Sequence, residues 1–150
     1  MSVSKQKILI VDDELDMRIF LSTLLETSGY QPVTTRDGRN GVSKALAGKP
    51  DLILLDVMMP GEGGVQMYRK LKTDQELAPI PVVMLSAVEK KSFYHYLTML
   101  NSSLPCPIPK PAAYLEKPVD PDQLLLVLKS LLPLVEIRKP DSGLANPLKS

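Results

Sequence analysis

Five polar residues of this chain stand at or just past the ends of short apolar runs, and their types suit phosphoryl chemistry. Asp12 and Asp13 follow Lys7 to Val11, Asp56 follows Leu52 to Leu55, Ser86 follows Val82 to Leu85, and Lys117 follows Ala113 to Glu116. If each run is a strand of one parallel sheet, these side chains meet at its carboxyl edge, where open α/β sheets place ligands and chemistry. Carboxylates this close repel unless a cation or a proton sits among them. An all-oxygen donor set without His or Cys suits a hard ion that keeps some of its water, Mg²⁺ above all. Lys117 balances the remaining charge. An aspartate beside such an ion can attack phosphorus to form an aspartyl phosphate, with Ser86 and Lys117 stabilising the added negative oxygens.

The elements that must position these groups follow from apolar spacing. Leu52 to Leu55 is apolar at consecutive positions, which predicts a central strand covered on both faces. Pro60 and the glycines Gly61, Gly63 and Gly64 then turn the backbone out of the sheet, so Asp56 sits at a strand end. Further strands are predicted at Lys7 to Val11, Gln31 to Thr35, Val82 to Leu85 and, most weakly, Ala113 to Glu116. Leu15, Ile19, Phe20, Leu24 and Leu25 form the helical stripe of a first helix that Gly29 ends. A second helix follows the Asp37-Gly38 turn with Val42, Ala45 and Leu46. A third carries Val65, Tyr68 and Leu71, and a fourth runs from about Glu89 to Leu100. The fifth opens on Asp120 as N-cap with Pro121 at the first helical position and Gln123 placed for a capping box, and runs to about Glu136. Five strands alternating with five helices predict repeated βαβ units, hence an α/β fold with a parallel sheet between two helical layers.

Composition narrows the class. The 150 residues, 44% hydrophobic and 23% charged, suit one domain with a real core. With 18 basic against 17 acidic residues and no dense basic stripe, nucleic acid is not an expected partner. The single cysteine, Cys106, cannot form an internal disulfide, and no apolar run is long enough to cross a bilayer, so the expected setting is cytoplasmic, without a membrane partner.

The order and strand-end placement of these motifs identify the chain as resembling a response-regulator receiver domain of two-component signalling, similar to chemotaxis regulators. The matching residues are Asp12-Asp13, Asp56 followed by Met59-Pro60 and Gly64, Ser86-Ala87, and Lys117-Pro118, spread over roughly Lys7 to Glu136. The resemblance implies a flavodoxin-like (βα)5 fold with strand order 2-1-3-4-5; a receiver protein is itself a standard instance of that order. It implies that Asp56 accepts a phosphoryl group from the phosphohistidine of a sensor histidine kinase or phosphotransfer protein. It further implies that Asp13, Asp56 and the main-chain carbonyl of Met58 hold Mg²⁺, helped by Asp12 through water, and that Ser86 and Lys117 contact the phosphoryl group. Tyr114 matches the aromatic switch position that responds to Ser86, and the Lys117-Pro118 bond is expected to be cis. The resemblance also implies a phosphoacceptor domain that assists its own phosphotransfer and dephosphorylation rather than a conventional enzyme. Met58 and Val88, at the positions that tune lifetime in this family, predict slow self-hydrolysis.

Two other classes compete. An aspartate-nucleophile phosphatase of the haloacid-dehalogenase type also places its nucleophile at a strand end, but it carries a second acid two residues on, where this chain has Met58. A phosphorylation-independent interaction module expects a broken site, and all five positions here are filled. Ser86 and Lys117 lie 31 positions apart, longer than the family's usual connection, with Pro105, Pro107, Pro109 and Pro111 in between. That stretch is expected to be a stiff, exposed run that influences partner choice. His95 is read as a surface or partly buried residue rather than a metal ligand or phosphodonor, and Cys106 as a small loop residue. Leu125, Leu128 and Leu132 form one expected stripe of the last helix, and Leu124, Val127, Leu131 and Val135 a second, which predicts a homodimer through that helix. Residues 1–137 are expected to form the receiver and 138–150 a flexible tail, with no output domain following.

Overall fold

The computed structural model describes residues 5–57 and 63–133. Met58, Met59, Pro60, the expected tail and Val135 lie outside the described residues. Five strands form one parallel sheet in the order β2-β1-β3-β4-β5: β1 (Lys7–Val11), β2 (Gln31–Thr35), β3 (Leu52–Asp56), β4 (Val82–Ser86) and β5 (Ala113–Glu116). The helices α1 (Leu15–Thr27), α2 (Gly38–Gly48), α3 (Gly64–Thr73), α4 (Lys90–Asn101) and α5 (Pro121–Leu131) alternate with them. The expected flavodoxin-like architecture is therefore present.

Strand side chains alternate between two cores. Leu9, Val11, Ile53, Leu55, Val82 and Met84 face α2, α3 and α4, while Ile8, Ile10, Leu52, Leu54, Val83 and Leu85 face α1 and α5. β3 and β4 are buried at every position, which explains why their sequences are unbroken apolar runs. β2 is an edge strand. Pro32 offers no N–H there, and the Lys44 ammonium covers the Thr34 carbonyl at 2.8 Å, two features that discourage pairing with another chain. Gly29 has φ +94°, as the end of α1 requires of a residue without Cβ.

Helix orientation departs from the expected stripes. On α1 the buried residues are Leu21 and Leu25, whereas Leu15 and Ile19 are 61% and 56% exposed and Phe20 is also exposed. The apolar content of α1 exceeds what one face against the sheet can cover, so spacing alone chose the wrong three. On α5 the buried seam is Leu124 and Leu128, with Leu125, Val127 and Leu131 partly buried beside it. The two expected stripes are one broad face, and Leu126 is the exposed residue. Asp120 caps α5 through the Asp122 amide, 3.1 Å away.

The proline-rich connection is anchored, contrary to the reading of a wholly exposed run. Ile108 is buried in the core beneath α3 and α4. The Asn101 side chain holds it there, accepting from the Ile108 amide at 2.8 Å and donating to its carbonyl at 2.9 Å. The Tyr68 hydroxyl donates to the Pro109 carbonyl at 2.8 Å. Pro105, Cys106 and Pro107 are exposed.

Candidate phosphoacceptor site

The sheet brings the predicted residues together because β1, β3, β4 and β5 end on one edge. The hydrogen-bond ladder continues past the strand ends: the Val57 amide donates to Leu85 at 3.1 Å, and the Lys117 amide donates to Ser86 at 2.7 Å. Lys117 is thus fixed to the backbone of the strand that carries Ser86. Gly64 opens α3 against the end of β3, where a Cβ would strike the Asp56 carbonyl and Val57, so that close approach requires glycine.

Asp12, Asp13 and Asp56 can each bring a carboxylate oxygen within 4.8 Å of the others. Asp12 and Asp56 are buried at 1% and 3% exposure, and Asp13 is open to solvent. The Lys117 ammonium lies 3.3 Å from Asp12, 3.6 Å from Asp56 and 3.7 Å from the exposed Glu14. Burial works against its charge, but the carboxylates of Asp56 and Asp12 outweigh burial and hold its pKa above the usual lysine value. One ammonium cannot neutralise three carboxylates, two of them buried. The surplus negative charge and all-oxygen donors fit a divalent hard cation. The backbone places Asp12 firmly: its side chain accepts from the Glu14 amide at 2.9 Å, and its carbonyl accepts from the Arg18 guanidinium at 2.7 Å. Arg18 was not singled out from sequence, since its role depends on the first turn of α1 folding back over β1.

Ser86 and Tyr114 meet through Val88. The Ser86 hydroxyl oxygen accepts from the Val88 amide at 3.0 Å, and the Tyr114 hydroxyl donates to the Val88 carbonyl at 2.8 Å. Tyr114 is buried and stacks on Phe93 with ring centroids 5.0 Å apart. Burial raises its phenol pKa above the ordinary tyrosine value. Tyr94 packs on the same ring at 5.9 Å and carries Lys110 over its own face at 5.5 Å. No local pattern marks Phe93 and Tyr94 as neighbours of Tyr114, because the rings come from two different elements, α4 and β5. The Lys117–Pro118 peptide is cis. His95 and Cys106 are exposed. Met58, the remaining predicted ligand, lies outside the described residues.

Residues 8–129 match the response regulator receiver domain model. The chain belongs to this family. It is 31% identical over 130 residues to the polar-differentiation response regulator DivK of Brucella ovis, an alignment covering 87% of this chain and 98% of DivK. It is 34% identical over 141 residues to the alkaline phosphatase synthesis transcriptional regulatory protein PhoP of Bacillus subtilis, covering 94% of this chain but only 54% of PhoP. The chain therefore spans about half the length of that relative. Among solved structures, the chemotaxis response regulator CheY4 of Vibrio cholerae superposes with a TM-score of 0.73 at 26% identity, covering 86% of this chain and all of CheY4. As a receiver domain of two-component systems this chain is a signalling domain, and the haloacid-dehalogenase reading is set aside. No helix among the described residues is long and apolar enough to cross a membrane.

Proposed function

We propose that this receiver carries its signal as a phosphoryl group on Asp56, taken from a phosphohistidine of a sensor histidine kinase or phosphotransfer protein. The observation that carries this reading is the Lys117 ammonium held between buried Asp12 and Asp56 beside a third carboxylate. Asp12, Asp13 and Asp56 would hold Mg²⁺, with the Met58 carbonyl as a further ligand. Bound there, the ion neutralises charge on the carboxylates and on the incoming phosphoryl oxygens. An Asp56 oxygen attacks phosphorus, the phosphorus–nitrogen bond to the donor imidazole breaks, and its electron pair leaves with the ring. Lys117 stabilises the oxygens that carry the developing charge.

Ser86 reads the product. When its hydroxyl turns to a phosphoryl oxygen, the Val88 amide loses its acceptor, and the Val88 carbonyl that anchors Tyr114 moves with it. The buried Tyr114 ring is thereby coupled to the state of Asp56. Leu15 and Ile19, exposed on α1 beside the site, supply apolar footing for the donor protein. We assign residues 1–137 to this receiver function.

Labelling with acetyl phosphate tests the reading. Wild type is expected to label in Mg²⁺ and to lose labelling in EDTA, and Asp56→Asn to lose it under both conditions. Labelling of Asp56→Asn at the wild-type level overturns the assignment.

A further inference from the structure

A second charged cleft lies on the other side of Asp12, at the carboxyl end of β2. It measures about 270 Å³ and is lined by Arg18, Thr34, Thr35, Arg36, Asn40 and Lys44, drawn from α1, β2 and α2. No carboxylate lines it. Arg18, Arg36 and Lys44 form no ion pair with a carboxylate among the described residues. Asp37, the acid that borders the cleft, is occupied in capping α2, accepting from the Asn40 amide at 2.8 Å and from its side chain at 3.0 Å.

Two of the cations are oriented by the backbone. Arg18 donates to the Asp12 carbonyl at 2.7 Å and Lys44 to the Thr34 carbonyl at 2.8 Å. Each bond uses one donor, leaving four guanidinium N–H groups on Arg18 and two ammonium N–H groups on Lys44. Because the Thr35 carbonyl accepts from the Asp12 amide at 3.1 Å, strand alternation turns the Thr34 backbone away from β1, toward the open edge. Three cations, the edge-facing Thr34 backbone amide, and no carboxylate in the lining make a cleft that accepts a compact anion with several oxygens.

We propose that this cleft binds a phosphate group, as inorganic phosphate or a small phosphomonoester. The net charge of +1 leaves no continuous basic track for a nucleic-acid backbone, and no aromatic residue lines the cleft to stack a base. An occupied cleft would engage the guanidinium that holds the Asp12 main chain, placing the ligand one residue away from the phosphoacceptor machinery. The proposal does not depend on phosphorylation of Asp56.

The test is an amide chemical-shift titration of the whole chain with inorganic phosphate and, separately, glycerol 3-phosphate, in EDTA and at constant ionic strength. Saturable shifts at Thr34, Thr35 and Arg36 are expected. A stronger response to glycerol 3-phosphate assigns the site to a phosphomonoester, and an equal or stronger response to inorganic phosphate assigns it to the free anion. Arg36→Glu and Lys44→Met change exposed side chains, and each should weaken binding about tenfold or more, the usual worth of a charge-assisted hydrogen bond. Shifts that never saturate, that chloride alone reproduces, that survive unchanged in both variants, or that centre on Asp13 and Lys117 would overturn the proposal.

Discussion

Replacing Lys117 by Met removes the ammonium that, among the described residues, sits amid the acids, while keeping most of the side chain's length. The gross attraction at 3.3 Å to Asp12 and 3.6 Å to Asp56 comes to about 5 kcal/mol for each contact at an effective dielectric of about 20. Desolvation of the three charged groups cancels much of this sum. What remains is the cost of taking the ammonium away from two buried carboxylates, about 3 to 5 kcal/mol for a buried pair and nearer the lower figure at a sheet edge that water can reach. The contact with Glu14 adds little, because that carboxylate is exposed. In EDTA at neutral pH, urea unfolding should therefore place Lys117→Met about 3 kcal/mol below wild type. Mg²⁺ should then stabilise the variant more than wild type, since its acid cluster lacks the competing ammonium, and stabilisation grows as the logarithm of ligand over dissociation constant. Acetyl phosphate labelling should fall in the variant even at saturating Mg²⁺, separating the loss of phosphoryl stabilisation from the loss of stability. A destabilisation under about 1 kcal/mol, the range of an exposed ion pair, would refute the reasoning, as would a gap to wild type that Mg²⁺ leaves unchanged.

Ile19→Glu places a charge on the exposed apolar face of α1; transfer from a phosphohistidine donor protein should slow at least tenfold while acetyl phosphate labelling stays at the wild-type rate, and equal loss from both donors would show damage to the site instead. Burial raises the Tyr68 phenol well above the ordinary tyrosine pKa, so above about pH 10 the unfolded chain loses this proton first and wild-type stability should fall as pH rises. Tyr68→Phe should cost about 1 kcal/mol at neutral pH through the lost bond to the proline-rich loop and should show a shallower alkaline decline, with parallel curves counting against a buried, protonated phenol.

Much of this molecule is legible in its sequence because its signals are local. An apolar run buried on both faces ends where a charged or turn-forming residue appears, so β3, β4 and the placement of Asp56 at a strand end could be read directly. Parallel pairing then sends successive strand ends to one edge, which is why Asp12, Asp13, Ser86 and Lys117 could be grouped without coordinates. Helix faces were harder to read. On α1 and α5 the apolar residues outnumber the positions one sheet face can cover, and only packing against β1, β3 and neighbouring helices selects Leu21 and Leu25, or Leu124 and Leu128, for burial.

Tertiary structure alone decided the contacts between segments that carry no mutual signal. Ile108 sits in a run of prolines that suggests exposure, yet Asn101 and Tyr68 hold that loop into the core from two different helices. The link from Ser86 to Tyr114 through one backbone unit, Val88, depends on two side chains converging from adjacent strands. Arg18 and Lys44 reach their carbonyls only because α1 and α2 flank the edge strand β2 from opposite layers. Periodicity fixes which residues share an element and a side, since it follows from bond geometry repeated along the chain. Which elements then touch depends on packing volumes and on hydrogen bonds closed over long loops, and no single stretch of sequence contains both partners of those bonds.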